Sequence, residues 1–381
     1  MDSSVRRIAL IGNQAFAAIN FRGPLIRDLV AAGHRVYAFA PDFDEATRAG
    51  VRELGAEPVA YPLQRVGLNP VADLRSMFAL WRLLRRLRID VALCYFIKPV
   101  IYGTLAAWLA RVPRRVALIE GAGYVFASEA DGSLKRRLLR MAVTGLYRFA
   151  LRRAQHVLVL NSDDRELFVS RRMVAPERID MLPGIGIDLD RYAATEPVVE
   201  PMTFVLAARL IAEKGVRVYA RAARVIKEQY PEVRFLLLGQ PDDNPDSLDR
   251  SEVEGWVADG ILEWPGQVAD VRPYLAGSSV FVLPTYYREG LPRSILEAMA
   301  MARPVITTDN PGCRDAIVDG ECGYLVPVRD ADSLAEAMRR FIERPALVGE
   351  FGRAGRQRAE TLYDVRSVNR QLISTMLAVT A

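Results

Sequence analysis

Ser279-Val280-Phe281-Val282-Leu283-Pro284 leads towards Arg288-Glu289-Gly290-Leu291-Pro292-Arg293-Ser294-Ile295-Leu296-Glu297-Ala298-Met299-Ala300. The first six residues form a short apolar run suited to a strand covered on both faces, and Pro292 suits the first turn of a helix. The pattern predicts a buried strand handing over to a helix. Such a turn favours ligands: the unpaired amides at a helix start and the positive end of its dipole attract anionic or hydroxyl-rich groups. Gly290 lets that backbone come close. Glu289 falls in the loop and Glu297 about two turns into the helix, so the carboxylates can accept hydrogen bonds from separate groups of one extended ligand. Two glutamates at this spacing are more often a first-turn charge and a solvated helix residue. The rest of the chain decides between these readings.

Outward from this stretch, short aliphatic runs alternate with helical patterns. Ile8 to Ile11, Val36 to Ala40, Val91 to Tyr95, Val116 to Ile119 and Val157 to Leu160 read as strands of one βα series. Phe204 to Ala208, Phe235 to Gly239, Val280 to Pro284, Val305 to Thr308 and Gly323 to Val326 read as a second. Two such series predict an α/β protein with two doubly wound parallel sheets, each holding ligands outside the carboxyl ends of its strands. The expected domains are residues 1–186 and 187–360, joined at the Gly-rich Pro183-Gly184-Ile185-Gly186-Ile187-Asp188, with a helix over 361–381 packing back on the first.

The 381 residues are enough for two cores. Cys94, Cys313 and Cys322, with His34 and His156, lack metal-ligand spacing, so neither a disulfide framework nor a zinc site is expected. This reads as a cytoplasmic chain. The apolar run Ile8 to Ile11 is too short for a signal peptide, and Pro99 to Ala110 falls short of a membrane span.

The net charge of +5 hides an asymmetry: residues 1–186 carry 28 Lys and Arg against 17 Asp and Glu, whereas residues 187–381 carry 23 against 29. The basic half lacks nucleic-acid-binding motifs, and aromatic residues are not interleaved with its charges, so no nucleic-acid partner is expected. An anionic membrane surface fits better. The densest segment, Ser133 to Arg153, has seven bases and no acid. On a helical wheel Leu134, Leu138, Met141, Ala142 and Phe149 form one stripe, with Arg136, Arg137, Arg140 and Arg148 opposite. This is either a domain helix with a solvated charged face or a helix docking on anionic headgroups.

Leu206-Ala207-Ala208-Arg209-Leu210-Ile211-Ala212-Glu213-Lys214-Gly215 brings two cations into a loop after a strand. Arg209, by forked hydrogen bonds, and Lys214, as a point charge, could clamp a diphosphate that also reaches the Glu289 turn.

Together with Leu236-Leu237-Leu238-Gly239, Trp264-Pro265-Gly266-Gln267-Val268 and Gly320 to Val326, these residues resemble the retaining family 4 glycosyltransferases of the GT-B fold. The resemblance covers nearly the whole chain. Ile97-Lys98-Pro99, Gly121-Ala122-Gly123-Tyr124-Val125-Phe126 and Leu160-Asn161-Ser162 are similar to the branch that acts on polyprenyl-diphosphate-linked oligosaccharides, often adding N-acetylgalactosamine. That resemblance implies a nucleotide-sugar donor, expected to be UDP-linked, a lipid-linked acceptor and a peripheral position on the inner face of the plasma membrane.

It also implies roles. Arg209 and Lys214 would neutralise the donor diphosphate, Glu297 would accept from ribose hydroxyls, and Glu289 with the amides at Gly290 and Leu291 would hold the donor sugar. Gly12 and Asn13 would close over the phosphates, and Gly239 and Gln267 would meet the base through backbone atoms. Lys98, Gly121, Gly123 and Asn161 would lie on the acceptor side. Many relatives carry a histidine in the acceptor loop; here Leu118-Ile119-Glu120-Gly121 has none, and Glu120 is the candidate to orient the acceptor hydroxyl or act as a base. His34 and His156 are expected to be structural.

No metal or cofactor is expected. Asp42 with Asp44, Asp188 with Asp190, and Asp330 with Asp332 have Asp-x-Asp spacing, but the first two pairs fall in loops and Ser333 with Glu336 reads as a capping box. The alternatives are a GDP-mannose transferase, a GT-B nucleotide-sugar epimerase and a non-catalytic membrane scaffold.

Overall fold

The computed structural model describes residues 5–64, 67, 69–123, 126, 134–241 and 246–378, with side chains of the helix that begins at residue 134 described from Arg137 onward. The chain divides into two compact units, Met1–Ile185 with Arg366–Ala381, and Gly186–Val365.

In the first unit, seven parallel strands lie in the order β3-β2-β1-β4-β5-β6-β7. They are β1 (Arg7–Ile11), β2 (Arg35–Ala40), β3 (Glu57–Ala60), β4 (Val91–Tyr95), β5 (Arg114–Ile119), β6 (His156–Val159) and β7 (Ile179–Met181). The central strands are apolar throughout because helices cover both faces of the sheet. Among the helices are α1 (Ala15–Asn20), α2 (Gly23–Ala31), α3 (Glu45–Glu53), α4 (Pro70–Leu87), α5 (Thr104–Leu109), α6 (Leu134–Leu151) and α7 (Ser162–Ser170). The terminal helix (Val365–Leu377) is tied into the same unit, where Asn369 Nδ2 donates to Asp28 (2.7 Å) and Arg114 donates to the Thr375 carbonyl (2.6 Å).

The second unit has six parallel strands in the order β10-β9-β8-β11-β12-β13. They are β8 (Thr203–Ala207), β9 (Arg234–Leu238), β10 (Glu263–Gly266), β11 (Val280–Leu283), β12 (Val305–Thr308) and β13 (Gly323–Val326). Its own core joins Phe204, Phe235 and Val282 to Tyr219 and to Phe341. The α8 helix (Val216–Gln229) follows β8, and the ninth (Arg250–Ala258), tenth (Arg272–Ala276) and eleventh (Arg293–Ala300) helices follow in order; the last is written α11 below.

Arg303 is a fully buried cation of this unit. Its guanidinium donates to the carbonyls of Leu275 (2.7 Å), Ala276 (2.9 Å), Met301 (2.9 Å) and Thr195 (2.8 Å). Burial pulls its pKa down to about 10.

Three strands escaped the sequence reading, β3, β7 and β10, and each lies at a sheet edge. Glu57-Pro58-Val59-Ala60, Ile179-Asp180-Met181 and Glu263-Trp264-Pro265-Gly266 lack an apolar run because an edge strand is covered less completely, and an edge tolerates proline. The helix after β13 also differs from expectation. It spans Ala331–Glu343 with Asp330 as its N-cap, accepting from Ser333 N (2.9 Å), and Glu336 pairs with Arg339 instead of closing a box with Ser333.

Candidate active site

Each sheet has a topological switch point, between β1 and β4 in the first and between β8 and β11 in the second, where successive connections leave in opposite directions. The loops after two such strands splay apart and leave a crevice at their carboxyl ends.

In the second unit the loops after β8 and β11 are joined through one peptide group. The Glu213 carbonyl accepts from Tyr286 N (2.8 Å), Thr285 Oγ1 (2.9 Å) and Tyr287 N (3.1 Å). Gly215 brings the loops together: its φ is +75°, and a Cβ there would lie 2.0 Å from the Pro284 carbonyl oxygen. Lys214 is thereby carried onto Glu289, and its Nζ donates to Glu289 Oε1. Thr285 Oγ1 lies 3.3 Å from that oxygen, and the ammonium sits 5.6 Å from the centre of the Tyr287 ring. Both charged side chains are largely buried, so the attraction is weakly screened by water.

Arg209 is exposed at the end of β8. Beside it, burial pushes the Glu213 carboxyl above its usual range, the Asp246 carboxylate adds to the rise, and Arg209 opposes it. Glu297 projects from α11, where its Oε1 accepts from Tyr192 OH (2.9 Å) and Arg293 Nε (2.9 Å). Burial and then the Glu297 charge raise the Tyr192 phenol to about 12. Gly290 and Leu291 are buried at the turn before α11. Gly239 N donates to the Gly266 carbonyl (2.9 Å) and Gly239 O accepts from Trp264 Nε1 (2.7 Å), while Gln267 is exposed just past β10.

In the first unit Gly12 comes directly after β1, and Asn13 follows it. The Gly12 carbonyl accepts from Tyr61 OH (2.6 Å), and a Cβ at Gly12 would lie 2.5 Å from the ring of Tyr95 at the end of β4. Gly12 is therefore required by packing across the switch point. Glu120, just past β5, forms an ion pair with Arg22, which comes from the junction of α1 and α2. The Arg22 guanidinium lies 4.6 Å from the centre of the Tyr95 ring. Burial raises the Tyr95 phenol to about 12, with Arg22 opposing the rise.

Ala122 N, between Gly121 and Gly123, donates to Asp164 (3.1 Å). Asn161 is fully buried as the N-cap of α7, its Oδ1 accepting from Asp164 N (2.7 Å), so it supports the Gly121–Gly123 loop through Asp164. Lys98 donates to Asp73 (2.8 Å) and to the Gln64 carbonyl (2.8 Å). Tyr124 and Val125 lie outside the described residues.

Each Asp-x-Asp pair commits a carboxylate to backbone amides: Asp42 to Ala15 N (2.7 Å), Asp44 to Thr47 N (2.8 Å), Asp188 to Arg191 N (3.0 Å) and Asp330 to Ser333 N. His156 pairs with Asp180 (2.9 Å), and His34 accepts from Arg6 N (3.3 Å).

The basic helix α6 turns the described part of the expected stripe outward, the Leu134 side chain lying outside the described residues. Val143, Tyr147, Ala150 and Leu151 make its core contacts, whereas Leu138, Met141, Ala142 and Phe149 are exposed. Arg137 is also exposed; Arg148 instead donates to the carbonyls of Arg171 (2.8 Å) and Arg172 (3.2 Å), and the Arg136 side chain lies outside the described residues.

Sequence reasoning missed Arg22, Tyr95, Tyr192 and the Thr285–Tyr287 segment. Only Thr285 to Tyr287 carried a usable signal, as the direct exit of a predicted strand towards Glu289. Arg22 and Tyr192 reach their partners from far away in the chain.

Two switch points, each lined by polar residues at strand ends, define a protein built from two Rossmann-like units. Residues 22–184 match the family model described as "Glycosyl transferase 4-like domain", and residues 201–344 match "Glycosyl transferases group 1". The chain belongs to the family 4 glycosyltransferases of the GT-B fold, and it is an enzyme of the hexosyltransferase type.

It is 27% identical over 350 residues to the Campylobacter jejuni N,N'-diacetylbacillosaminyl-diphospho-undecaprenol alpha-1,3-N-acetylgalactosaminyltransferase, covering 88% of this chain and 89% of that one. It is likewise 27% identical to an Escherichia coli UDP-Gal:alpha-D-GlcNAc-diphosphoundecaprenol alpha-1,3-galactosyltransferase, covering 74% and 73%. Among solved structures, HepE of Anabaena in complex with UDP superposes with a TM-score of 0.76 at 15% identity, covering 99% of this chain and 100% of that one.

Proposed function

We propose that this enzyme moves a hexose or N-acetylhexosamine from a UDP-sugar to a polyprenyl-diphosphate-linked saccharide, with retention of anomeric configuration, in the assembly of a bacterial surface glycan or glycoprotein glycan. The observation that carries this reading is the Lys214–Glu289 pair at the switch point of the second sheet, a buried cation and carboxylate next in the chain to Glu213, whose carboxyl feels the charge of the exposed Arg209. The two named relatives, whose acceptors are undecaprenol-linked diphosphates, support the acceptor class.

In this mechanism Arg209 and Lys214 receive the donor diphosphate, so charge building on the departing phosphate meets cations already in place. Glu289 and the amides of Gly290 and Leu291 hold the sugar. Glu297, steadied at Oε1 by Tyr192 and Arg293, offers its other oxygen to the ribose hydroxyls. The leaving phosphate takes the acceptor proton on the face it departs from, so no protein nucleophile is required. Glu120 orients the acceptor hydroxyl, held in place by Arg22.

A lipid-linked acceptor assigns the enzyme to the inner face of the plasma membrane as a peripheral protein. Among the described residues no helix is long and apolar enough to cross a membrane, and the basic α6 is the surface that meets anionic lipid.

The test is a donor screen by nucleotide release on a short-chain polyprenyl-diphosphate glycan, run with and without excess chelator. Release of UDP only when acceptor is present, unchanged by chelator, is the expected result. Turnover with GDP-mannose alone, or a strict requirement for a divalent ion, would overturn the donor or the mechanism respectively.

A further inference from the structure

The apolar side chains on the surface of this protein are concentrated on one helical layer. Val71, Leu74 and Phe78 on α4, Trp108 and Leu109 on α5, and Leu138, Met141, Leu146 and Phe149 on α6 are nine of the sixteen most exposed large apolar residues among those described. Met141 is 63% exposed, Leu138 56% and Phe149 49%. The helices are neighbours, with α5 packed against both α4 and α6. Arg153 links two of them, lying 4.0 Å from the centre of the Phe149 ring and 5.1 Å from that of Trp108.

The charge on this layer has one sign. The three helices carry nine Lys and Arg against a single acid, Asp73, which is buried and paired with Lys98. Arg75, Arg82, Arg85, Arg86 and Arg137 are exposed around the apolar residues. An ordinary amphipathic helix directs its apolar stripe inward. In α6 the core is served by a different set, Val143, Tyr147, Ala150 and Leu151, while Leu138, Met141 and Phe149 stay exposed among the described residues.

We infer that the α4–α5–α6 layer is a bilayer-insertion surface: Leu138, Met141, Phe149 and Trp108 enter the acyl boundary, and the surrounding arginines pair with anionic headgroups. This rests on the membrane-facing reading above and replaces purely electrostatic docking with apolar insertion. A second copy of the chain is a poor occupant, because a two-fold interface would set this arginine-rich patch against itself. A bilayer meets both halves of the pattern, since an interfacial helix combines buried apolar area with attraction to anionic lipid.

The experiment is flotation of the intact enzyme with vesicles of phosphatidylcholine and phosphatidylglycerol at 0.1 and ~0.5 M NaCl, conditions that separate screened from unscreened binding. Partitioning that survives high salt within about threefold, and a drop of at least ~30-fold in Leu138→Ser/Met141→Ser/Phe149→Ser, is the expected result. Brominated lipid should quench tryptophan fluorescence in wild type and much less in Trp108→Phe.

Full release of wild type by salt, with the triple variant floating like wild type, would reduce the surface to electrostatic docking and sink the inference. A concentration-dependent dimer without vesicles, abolished by the triple variant, would also sink it by assigning the face to a second copy. Nucleotide release on a water-soluble short-chain acceptor separates the two readings. If wild type and variant are both inactive there while flotation behaves as expected, the transferase assignment fails and the insertion surface stands.

Discussion

Lys214 and Glu289 are bonded to each other at the switch point of the second sheet, although the sequence had assigned them to different parts of the donor. Before the donor arrives the ammonium neutralises the carboxylate. Removal of either partner leaves the other as a buried charge, at a cost of about 3 kcal/mol. Glu289→Gln should lower kcat at least ~100-fold, the size of effect seen when a transition-state contact is lost. Lys214→Met/Glu289→Gln should be more stable than Glu289→Gln alone yet no more active. Thermal melts and initial rates on the same samples check both halves; recovery of activity in the double variant would show that the pair is only structural.

Arg22 and Glu120 form the corresponding pair of the first unit. Arg22→Met should destabilise by about 3 kcal/mol through the uncompensated carboxylate, and Arg22→Met/Glu120→Gln should regain most of that stability. If Glu120 orients the acceptor, the double variant stays slow and its KM for acceptor stays raised. Stability and activity returning together would remove Glu120 from the mechanism.

Tyr192→Phe takes one hydrogen bond from Glu297 and leaves Arg293 in place. The expected effect is a KM for nucleotide sugar raised about fivefold with kcat nearly unchanged, corresponding to roughly 1 kcal/mol of uniform binding. Isothermal titration with UDP gives an independent reading.

The Glu213 carboxyl is held above its usual range by burial. A raised carboxylate pKa in the folded state contributes stability that is present below the unfolded value and is lost as pH rises through the folded value. Glu213→Gln keeps the side-chain shape without the charge. Its melting temperature should match wild type in acid and gain on it steadily as pH climbs past the ordinary carboxylate range towards neutrality.

Arg303→Met should unfold the second unit at markedly lower temperature. Several carbonyls would lose their donor in the interior, a loss of about 3 kcal/mol or more. Residual rates measured well below the melting point should stay near wild type, since Arg303 contacts no residue assigned to the donor.

The central strands were legible in the sequence because burial on both faces leaves an uninterrupted apolar run, as in Val280-Phe281-Val282-Leu283. The edges were not, since β10 carries Glu263 and Pro265 where only one side needs a partner. The same contrast holds at the site. Glu289, Glu297, Arg209 and Lys214 stood out as charges beside strand ends, but nothing in the order of residues announces that Tyr192 will reach Glu297 from 105 positions away. For α6 the wheel identified the stripe and could not say which way it faces. A core-forming and a surface-seeking apolar face have the same periodicity, and only the competing set of Val143, Tyr147, Ala150 and Leu151 decides.

The alignment of Lys214 with Glu289 depends on a peptide carbonyl at Glu213 and on the missing side chain of Gly215. The amides that make this fastening are supplied whichever side chains stand at 286 and 287, whereas Gly215 has to stay. Tyr286 and Tyr287 contribute amides to it, while their rings meet cations, Tyr286 lying 4.3 Å from the Arg329 guanidinium and Tyr287 5.6 Å from the Lys214 ammonium. Libraries at positions 286 and 287 can therefore search for altered donor preference while the main-chain fastening holds, with the ring at 287 the one that bears on Lys214.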